Sequence, residues 1–152
     1  MFGPAPMAEL PAAGGPPEFI LPVNGLLLVG YSEAADVFYE TLREWRFHPG
    51  IDIQGEEGDP VGAAADGVVA EILENAPRNM GLTVVLEHPD GYMTVYSSLT
   101  AAAPLEIGQR VSAGDIIGTI GSSAIAEAAH PPHLHFEIHK DGVPVDPMDY
   151  FP

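Results

Sequence analysis

Between Phe19 and Pro152, turn-forming residues recur every eight to twelve positions or so, and the segments between them are short and rich in Val, Ile, Leu and Tyr. That pattern reads as an all-β domain with little helix, since brief β-branched and aromatic runs closed by Gly, Pro, Asn and Asp are strand and turn signals. The candidate strands are Gly25–Gly30, Ile51–Gln54, Gly67–Leu73, Leu82–Glu87, Met93–Leu99, Ile116–Gly121, Leu134–His139 and a short piece at Val143–Val145. Pro89-Asp90-Gly91 and Lys140-Asp141-Gly142 read as hairpin turns, because Asp-Gly adopts positive φ at low cost. Ser32–Arg46 is ambiguous: Phe38, Leu42 and Trp45 follow helical spacing, while Val37, Tyr39 and Thr41 alternate as in a strand.

A chain of 152 residues suffices for one hydrophobic core and is short for two. Residues 1–18 are dominated by Pro, Gly and Ala and read as a flexible lead-in, leaving 19–152 as the domain. Within that domain, Gly58-x-x-Val61-x-Ala63 is echoed fifty residues on by Gly108-x-x-Val111-x-Ala113. Each copy runs into a glycine and a β-branched pair, Val68-Val69 after Gly67 and Ile116-Ile117 after Gly114. Two such strand–turn–strand units fit a small antiparallel sheet with a duplicated hybrid motif.

The charge balance narrows the partners. With 22 Asp and Glu against 5 Lys and Arg, the formal charge is −17, which disfavours nucleic acid and anionic lipid surfaces. There is no cysteine, so any metal site must be built from histidine and carboxylate. The longest clean apolar run is Leu26 to Val29, far below the roughly 20 residues of a membrane span. The first eighteen residues carry no Lys or Arg and no apolar stretch and do not read as a signal peptide, so an exported form is expected to have lost its signal or never to have had one.

Two histidine motifs carry the chemistry. His48-Pro49-Gly50-Ile51-Asp52 sets an imidazole and a carboxylate four residues apart. A straight strand would separate them by roughly 13 Å, but the Pro-Gly turn shortens the path and would let both converge on one cation. In His133-Leu134-His135-Phe136-Glu137-Ile138-His139, alternation puts His133, His135, Glu137 and His139 on one face and the apolar residues on the other. Both His133 and His135 could bind a metal, or one could bind while the other handles the attacking water; spacing alone does not choose. The other histidines read as background: His88 as a structural hydrogen-bonder, His130 as a loop residue close to His133 with lining of the cleft as the alternative, and His139 as solvated. Tyr96 and Trp45 read as core or cleft wall.

From about Val23 to Phe151 the chain resembles the lysostaphin/LytM-type zinc metallopeptidase domain. The resemblance is carried by His48-Pro-Gly-Ile-Asp52, Gly58-Asp-Pro-Val61-Gly-Ala-Ala-Ala-Asp-Gly67-Val-Val, Glu87-His-Pro-Asp-Gly91-Tyr-Met-Thr-Val-Tyr96, Gly108-Gln-Arg-Val111-Ser-Ala-Gly114 and His133-Leu-His-Phe-Glu137-Ile. It implies an antiparallel β-sheet domain, zinc held by His48, Asp52 and His135, a catalytic role for His133, and cell-wall peptides of peptidoglycan as substrate. One departure stands out. Where the family reads Tyr-x-His-Leu, with a second catalytic histidine, this chain has Tyr96-Ser97-Ser98-Leu99. A serine hydroxyl is no general base near neutral pH and brings no positive charge to an oxyanion, so the exchange removes roughly 10²–10⁴ in rate.

A narrower resemblance, to the stage II sporulation protein Q group of clostridial type, is carried by Tyr39 to Asp52, by Tyr96-Ser-Ser-Leu99 and by Lys140-Asp-Gly-Val-Pro-Val-Asp-Pro147. It implies a binding role with weakened or no hydrolysis, in the intermembrane space of the forespore, beside a channel protein of the mother cell. That group is anchored by a transmembrane helix ahead of the domain, which this chain lacks. The competing expectations are an active peptidoglycan metalloendopeptidase and a lipoyl or biotinyl carrier. The carrier reading, suggested by Gly108-Gln-Arg-Val111-Ser-Ala-Gly114-Asp, fails because the single lysine, Lys140, lacks the flanking residues of a modified lysine.

Overall fold

A computed structural model describes residues 17–39, 44–122, 124 and 130–152. Residues 1–16 of the lead-in, along with Thr41 and Leu42, lie outside those residues, as does the side chain of Trp45. The strands, in chain order, are β1 (Leu27–Val29), β2 (Ser32–Tyr39), β3 (Glu44–His48), β4 (Ile51–Gln54), β5 (Pro60–Gly62), β6 (Gly67–Ala76), β7 (Gly81–Glu87), β8 (Tyr92–Ala102), β9 (Arg110–Val111), β10 (Ile116–Ile120), β11 (His133–Lys140) and β12 (Val143–Val145). Among the described residues the only helical pieces are three-residue turns at Pro77–Asn79, Pro89–Gly91 and Pro147–Asp149, so no helix is long and apolar enough to cross a membrane.

One antiparallel sheet dominates, in the order β1-β4-β11-β8-β7-β6-β9, with β12 on β11, β10 on β8, and β5 on β10. The ambiguous stretch resolves into two strands: β2 and β3 form a separate hairpin, with Phe38 opposite Trp45 and Val37 opposite Arg46. Alternation therefore wins over helical spacing there. β5 and β9 were not among the candidate strands, since at three and two residues neither is long enough to display a period. The Asp-Gly turns behave as their chemistry requires, with φ of +51° and +82° at Asp141 and Gly142, and +64° and +77° at Asp90 and Gly91.

The sequence echo is a structural duplication. Gly58 and Gly108 have φ of +92° and +91°, and each sits inside a matching turn, closed by Asp59 N–H to the Glu56 carbonyl in the first and by Gln109 N–H to the Glu106 carbonyl in the second. The copies then exchange partners. β5, from the first copy, pairs with β10 of the second, while β9, from the second, pairs with β6 of the first. The two halves are locked where Ala63 N–H donates to the Asp115 carbonyl and Gly114 N–H to that of Ala63.

The apolar sides of these strands close over one core that includes Ile51, Val69, Leu86, Tyr96, Ile117, Leu134, Phe136 and Ile138, all buried. Phe19 seals one end with edge-on contacts to His88, Tyr92 and Tyr150 at 5.6–5.8 Å. A polar spine runs through the core. Ala64 N–H donates to the Tyr96 hydroxyl, which lies 2.8 Å from Thr94 Oγ1; His88 Nε2 is 2.7 Å from that same oxygen. His88 Nδ1 sits 2.7 Å from the Asp66 carbonyl, and because a carbonyl can only accept, Nδ1 carries a proton. Burial holds the His88 pKa below its usual 6.5, with the Asp66 contact only partly opposing this. The unfolded chain thus takes up the proton first as pH falls. The stability contributed by neutral His88 is fully present above about 6.5 and declines as pH drops through the lowered folded-state value. Denaturant midpoints across this range should fall less steeply in His88→Gln than in the wild type; identical slopes would remove His88 as the cause.

Candidate metal centre

The sheet register builds the site. Asp52 on β4 is paired directly with His135 on β11, and His135 is paired with Ser97 on β8. Directly opposed residues of antiparallel strands share a face. Asp52, His135 and Ser97 therefore form one polar row, which Ser97 Oγ extends to Thr83 Oγ1 of β7 at 2.8 Å. His48 enters from the end of β3. The Pro49-Gly50 turn folds it back until its Nε2 is 3.3 Å from Asp52 Oδ2. Gly50 permits this, because a methyl group there would collide with the Phe136 carbonyl and come 2.8 Å from Glu137 Cγ. His48, Asp52, His133 and His135 are all buried to 1% exposure or less.

Each histidine has its outward nitrogen tied down. His48 Nδ1 is 3.0 Å from the Gly30 carbonyl and His133 Nδ1 is 2.8 Å from the Pro131 carbonyl, so both carry their protons on Nδ1. Their Nε2 atoms face Asp52, that of His48 at 3.3 Å and that of His133 at 4.0 Å from Oδ2. His135 points Nδ1 at Asp52 Oδ1 and Nε2 at Glu137 Oε2, both at 2.7 Å. A carboxylate behind the outer nitrogen of an imidazole fixes its tautomer and raises its basicity, which is the usual backing of a metal-ligating histidine.

Glu137 is itself fully held, by His139 Nε2 at 2.7 Å and Arg78 at 3.2 Å. Burial pushes its pKa up, but the hydrogen bonds from His135 and His139 and the charges of His135 and Arg78 outweigh that and keep it ionised. This corrects the expectation that His139 is solvated: a buried carboxylate needs donors, and His139 supplies one. Asp52 follows the same logic. Burial raises its pKa, and the facing imidazoles of His130, His135 and His48 more than reverse this, leaving it below the ordinary carboxylate value.

One ligand atom from each of His48, Asp52 and His135 lies within 4.8 Å of the other two. Asp52 Oδ2 is buried and lies 3.3 Å from His48 Nε2 and 3.6 Å from His130 Nδ1, so the centre gathers a carboxylate oxygen and imidazole nitrogens at one point. Two imidazole nitrogens and one carboxylate oxygen, with the Gly30 carbonyl behind His48 and Glu137 behind His135, are a donor set that suits a divalent ion such as zinc and leaves it a further coordination position.

Ser98 lies one residue beyond that row. It is fully buried, its backbone is left-handed at φ +64°, and its hydroxyl makes no hydrogen bond. The pairing of Leu82 with Leu99 and of Val84 with Tyr96 leaves Thr83 facing both Ser97 and Ser98, so β8 bulges at this point. Tyr96 is committed to the core spine rather than to the metal side. Sequence reasoning saw Glu137 only as a same-face neighbour of His135; His130, expected in a loop with the cleft as the alternative, has its Nδ1 3.6 Å from Asp52 Oδ2.

Residues 46–147 match the model of peptidase family M23. The DD-carboxypeptidase/endopeptidase Mpg of Neisseria meningitidis is 36% identical over 107 residues, covering 70% of this chain and 23% of that protein. Stage II sporulation protein Q of Bacillus subtilis is 36% identical over 120 residues, covering 78% of this chain and 40% of the relative. The chain thus spans less than half the length of either. A solved structure of the SpoIIQ-SpoIIIAH pore-forming complex contains a chain that superimposes with a TM-score of 0.73 at 28% identity, covering 89% of this chain and 91% of that one. With its strand order, its His/Asp centre and these matches in agreement, the chain belongs to peptidase family M23.

Proposed function

We propose that this is a zinc-binding LytM-type domain that acts mainly as a binding module, with slow or no hydrolysis of cell-wall peptides. The observation that carries this reading is the contrast between the two halves of the site. On the metal side His48, Asp52 and His135 converge, and both histidines are backed by an outer partner. At the position of the second catalytic histidine stands Ser98, whose buried hydroxyl makes no hydrogen bond.

Zinc bound here would supply a Lewis acid for a peptide carbonyl. The chain's own residues do the rest. His133, its Nδ1 fixed on Pro131, holds an unprotonated Nε2 toward the centre and can accept a proton from the attacking water. Glu137 orients His135. No imidazole at position 98 is available to stabilise charge on the carbonyl oxygen.

The binding role follows the likeness to stage II sporulation protein Q and to the chain in the SpoIIQ-SpoIIIAH complex. On this reading the domain acts outside the cytoplasm, in the intermembrane space of a forespore, against a channel protein of the mother cell. The likeness to Mpg supports the alternative, an active peptidoglycan metalloendopeptidase. A pull-down from sporulating cells with the domain as bait should retain a protein of the opposing membrane. If that partner is basic, the −17 charge should make association faster at low salt. Retention of no envelope protein would overturn the binding role and leave the hydrolase.

A further inference from the structure

Arg78 is held in an unusual way. It sits in the three-residue turn Pro77–Asn79 between β6 and β7, with a left-handed backbone at φ +63° and ψ +24° that a residue carrying a β-carbon rarely adopts. In the sheet order β7 and β8 separate β6 from β11, yet Arg78 Nη2 donates to Glu137 Oε2 of β11 at 3.2 Å. The turn therefore folds inward over the face that carries His135 and Glu137, and Ser98 N–H holds it there by donating to the Met80 carbonyl. One carboxylate oxygen stands between the guanidinium and the metal centre, since Oε2 is also 2.7 Å from His135 Nε2. Glu137 already has an imidazole on each oxygen, His135 on Oε2 and His139 on Oε1, and an ion pair with a half-exposed partner adds little to that. Satisfying Glu137 does not account for the strained turn. The Arg78 side chain remains 51% exposed, and of the five N–H donors in its planar fork Glu137 engages one nitrogen.

We propose that Arg78 is a specificity-determining residue: the guanidinium edge that Glu137 leaves open binds the terminal carboxylate of the peptide held over the metal centre. The ligand class is a peptide that ends in a free carboxylate close to the ion, in preference to the same peptide amidated. This rests on the reading of the domain as a binder of cell-wall peptides. The planar fork matches a carboxylate through two parallel N–H···O bonds, whereas an amide offers one oxygen and sets its own N–H donors against those of the arginine. Charge points the same way. The chain carries −17 overall, and the other cations with described side chains lie elsewhere, Arg110 on β9 at the far edge of the sheet and Lys140 beside Asp90 and Tyr92. Among the described residues, Arg78 is thus the cationic side chain that an anionic ligand meets beside the centre. The Glu137 contact fixes the guanidinium in advance, so less side-chain freedom is lost when the ligand binds.

The test is a pair of synthetic cell-wall stem peptides, identical and N-terminally labelled, one with its terminal carboxylate free and the other amidated. Each is titrated into the zinc-equilibrated full chain and followed by fluorescence anisotropy. The wild type should bind the acid roughly 10–100-fold more tightly, the worth of a hydrogen bond between charged groups. Arg78→Gln should bind both peptides equally weakly, and Arg78→Lys, which keeps the charge without the fork, should keep only part of the preference. Far-UV circular dichroism and metal content show that each variant is folded and loaded. Should Arg78→Gln fail either check, the wild type decides by nuclear magnetic resonance: the Arg78 Nε–H signal should shift with the acid and stay in place with the amide. Equal wild-type affinity for the two peptides, a preference retained in folded and loaded Arg78→Gln, or an Nε–H signal unmoved by the acid would overturn the role of Arg78. Binding of neither peptide would overturn the cell-wall peptide reading as well, which separates the two failures.

Discussion

On the proposed zinc reading, alanine at position 135 should abolish tight zinc binding. His135 sits between two buried carboxylates, at 2.7 Å from Asp52 Oδ1 and 2.7 Å from Glu137 Oε2. Its removal takes away a ligand nitrogen and leaves both carboxylates with one counter-group fewer in a site of almost no exposure. Loss of an outer partner alone typically lowers metal affinity 10–100-fold. Loss of the ligand itself is therefore expected to exceed about 100-fold. Glu137→Gln, which keeps a hydrogen-bonding group of the same size but removes its charge, should fall within the smaller range. Competition against a chromophoric chelator measures both. Full zinc retention in folded His135→Ala would discard the ligand assignment.

Histidine at position 98 should raise the rate of peptide cleavage by about 10²-fold, the lower end of what a positioned acid–base group contributes. The backbone there is already left-handed, at φ +64°, a conformation that histidine enters more readily than most residues. The position is buried, on a bulge adjoining the Asp52-His135-Ser97 row, and the present hydroxyl makes no hydrogen bond that the exchange would break. The cost is volume, because the ring must be admitted beside Leu99, itself fully buried. A thermal melt separates failure of packing from failure of chemistry. A folded, zinc-loaded Ser98→His that is no faster than the wild type would mean that another group already does the work, and His130, facing Asp52, is the first to replace.

The strands that build the centre were legible because their chemistry is periodic. Alternation in His133–His139 put the histidines on one face, and Pro49-Gly50 marked the reversal that brings His48 to Asp52. The register between β4 and β11 was not legible, since nothing local to either strand says that Asp52 lies opposite His135. The same limit hid Arg78, which reaches Glu137 across 59 positions of sequence. His130 was legible only as a loop residue near the cleft: its neighbours Ala128, Ala129, Pro131 and Pro132 carry no period, and only the folded chain sets its ring against Asp52. β5 and β9 could be inferred only from the fifty-residue echo, as two or three residues cannot show a pattern of their own.

The most direct measurement is the turnover of one defined cross-linked cell-wall peptide by the zinc-loaded wild-type chain, beside an M23 domain that carries both catalytic histidines, with each repeated after chelation. The wild-type chain should cleave at least about 10²-fold more slowly and stop when zinc is removed. Parity between the two domains, or cleavage that survives the loss of zinc, would contradict a complete metal site limited by Ser98.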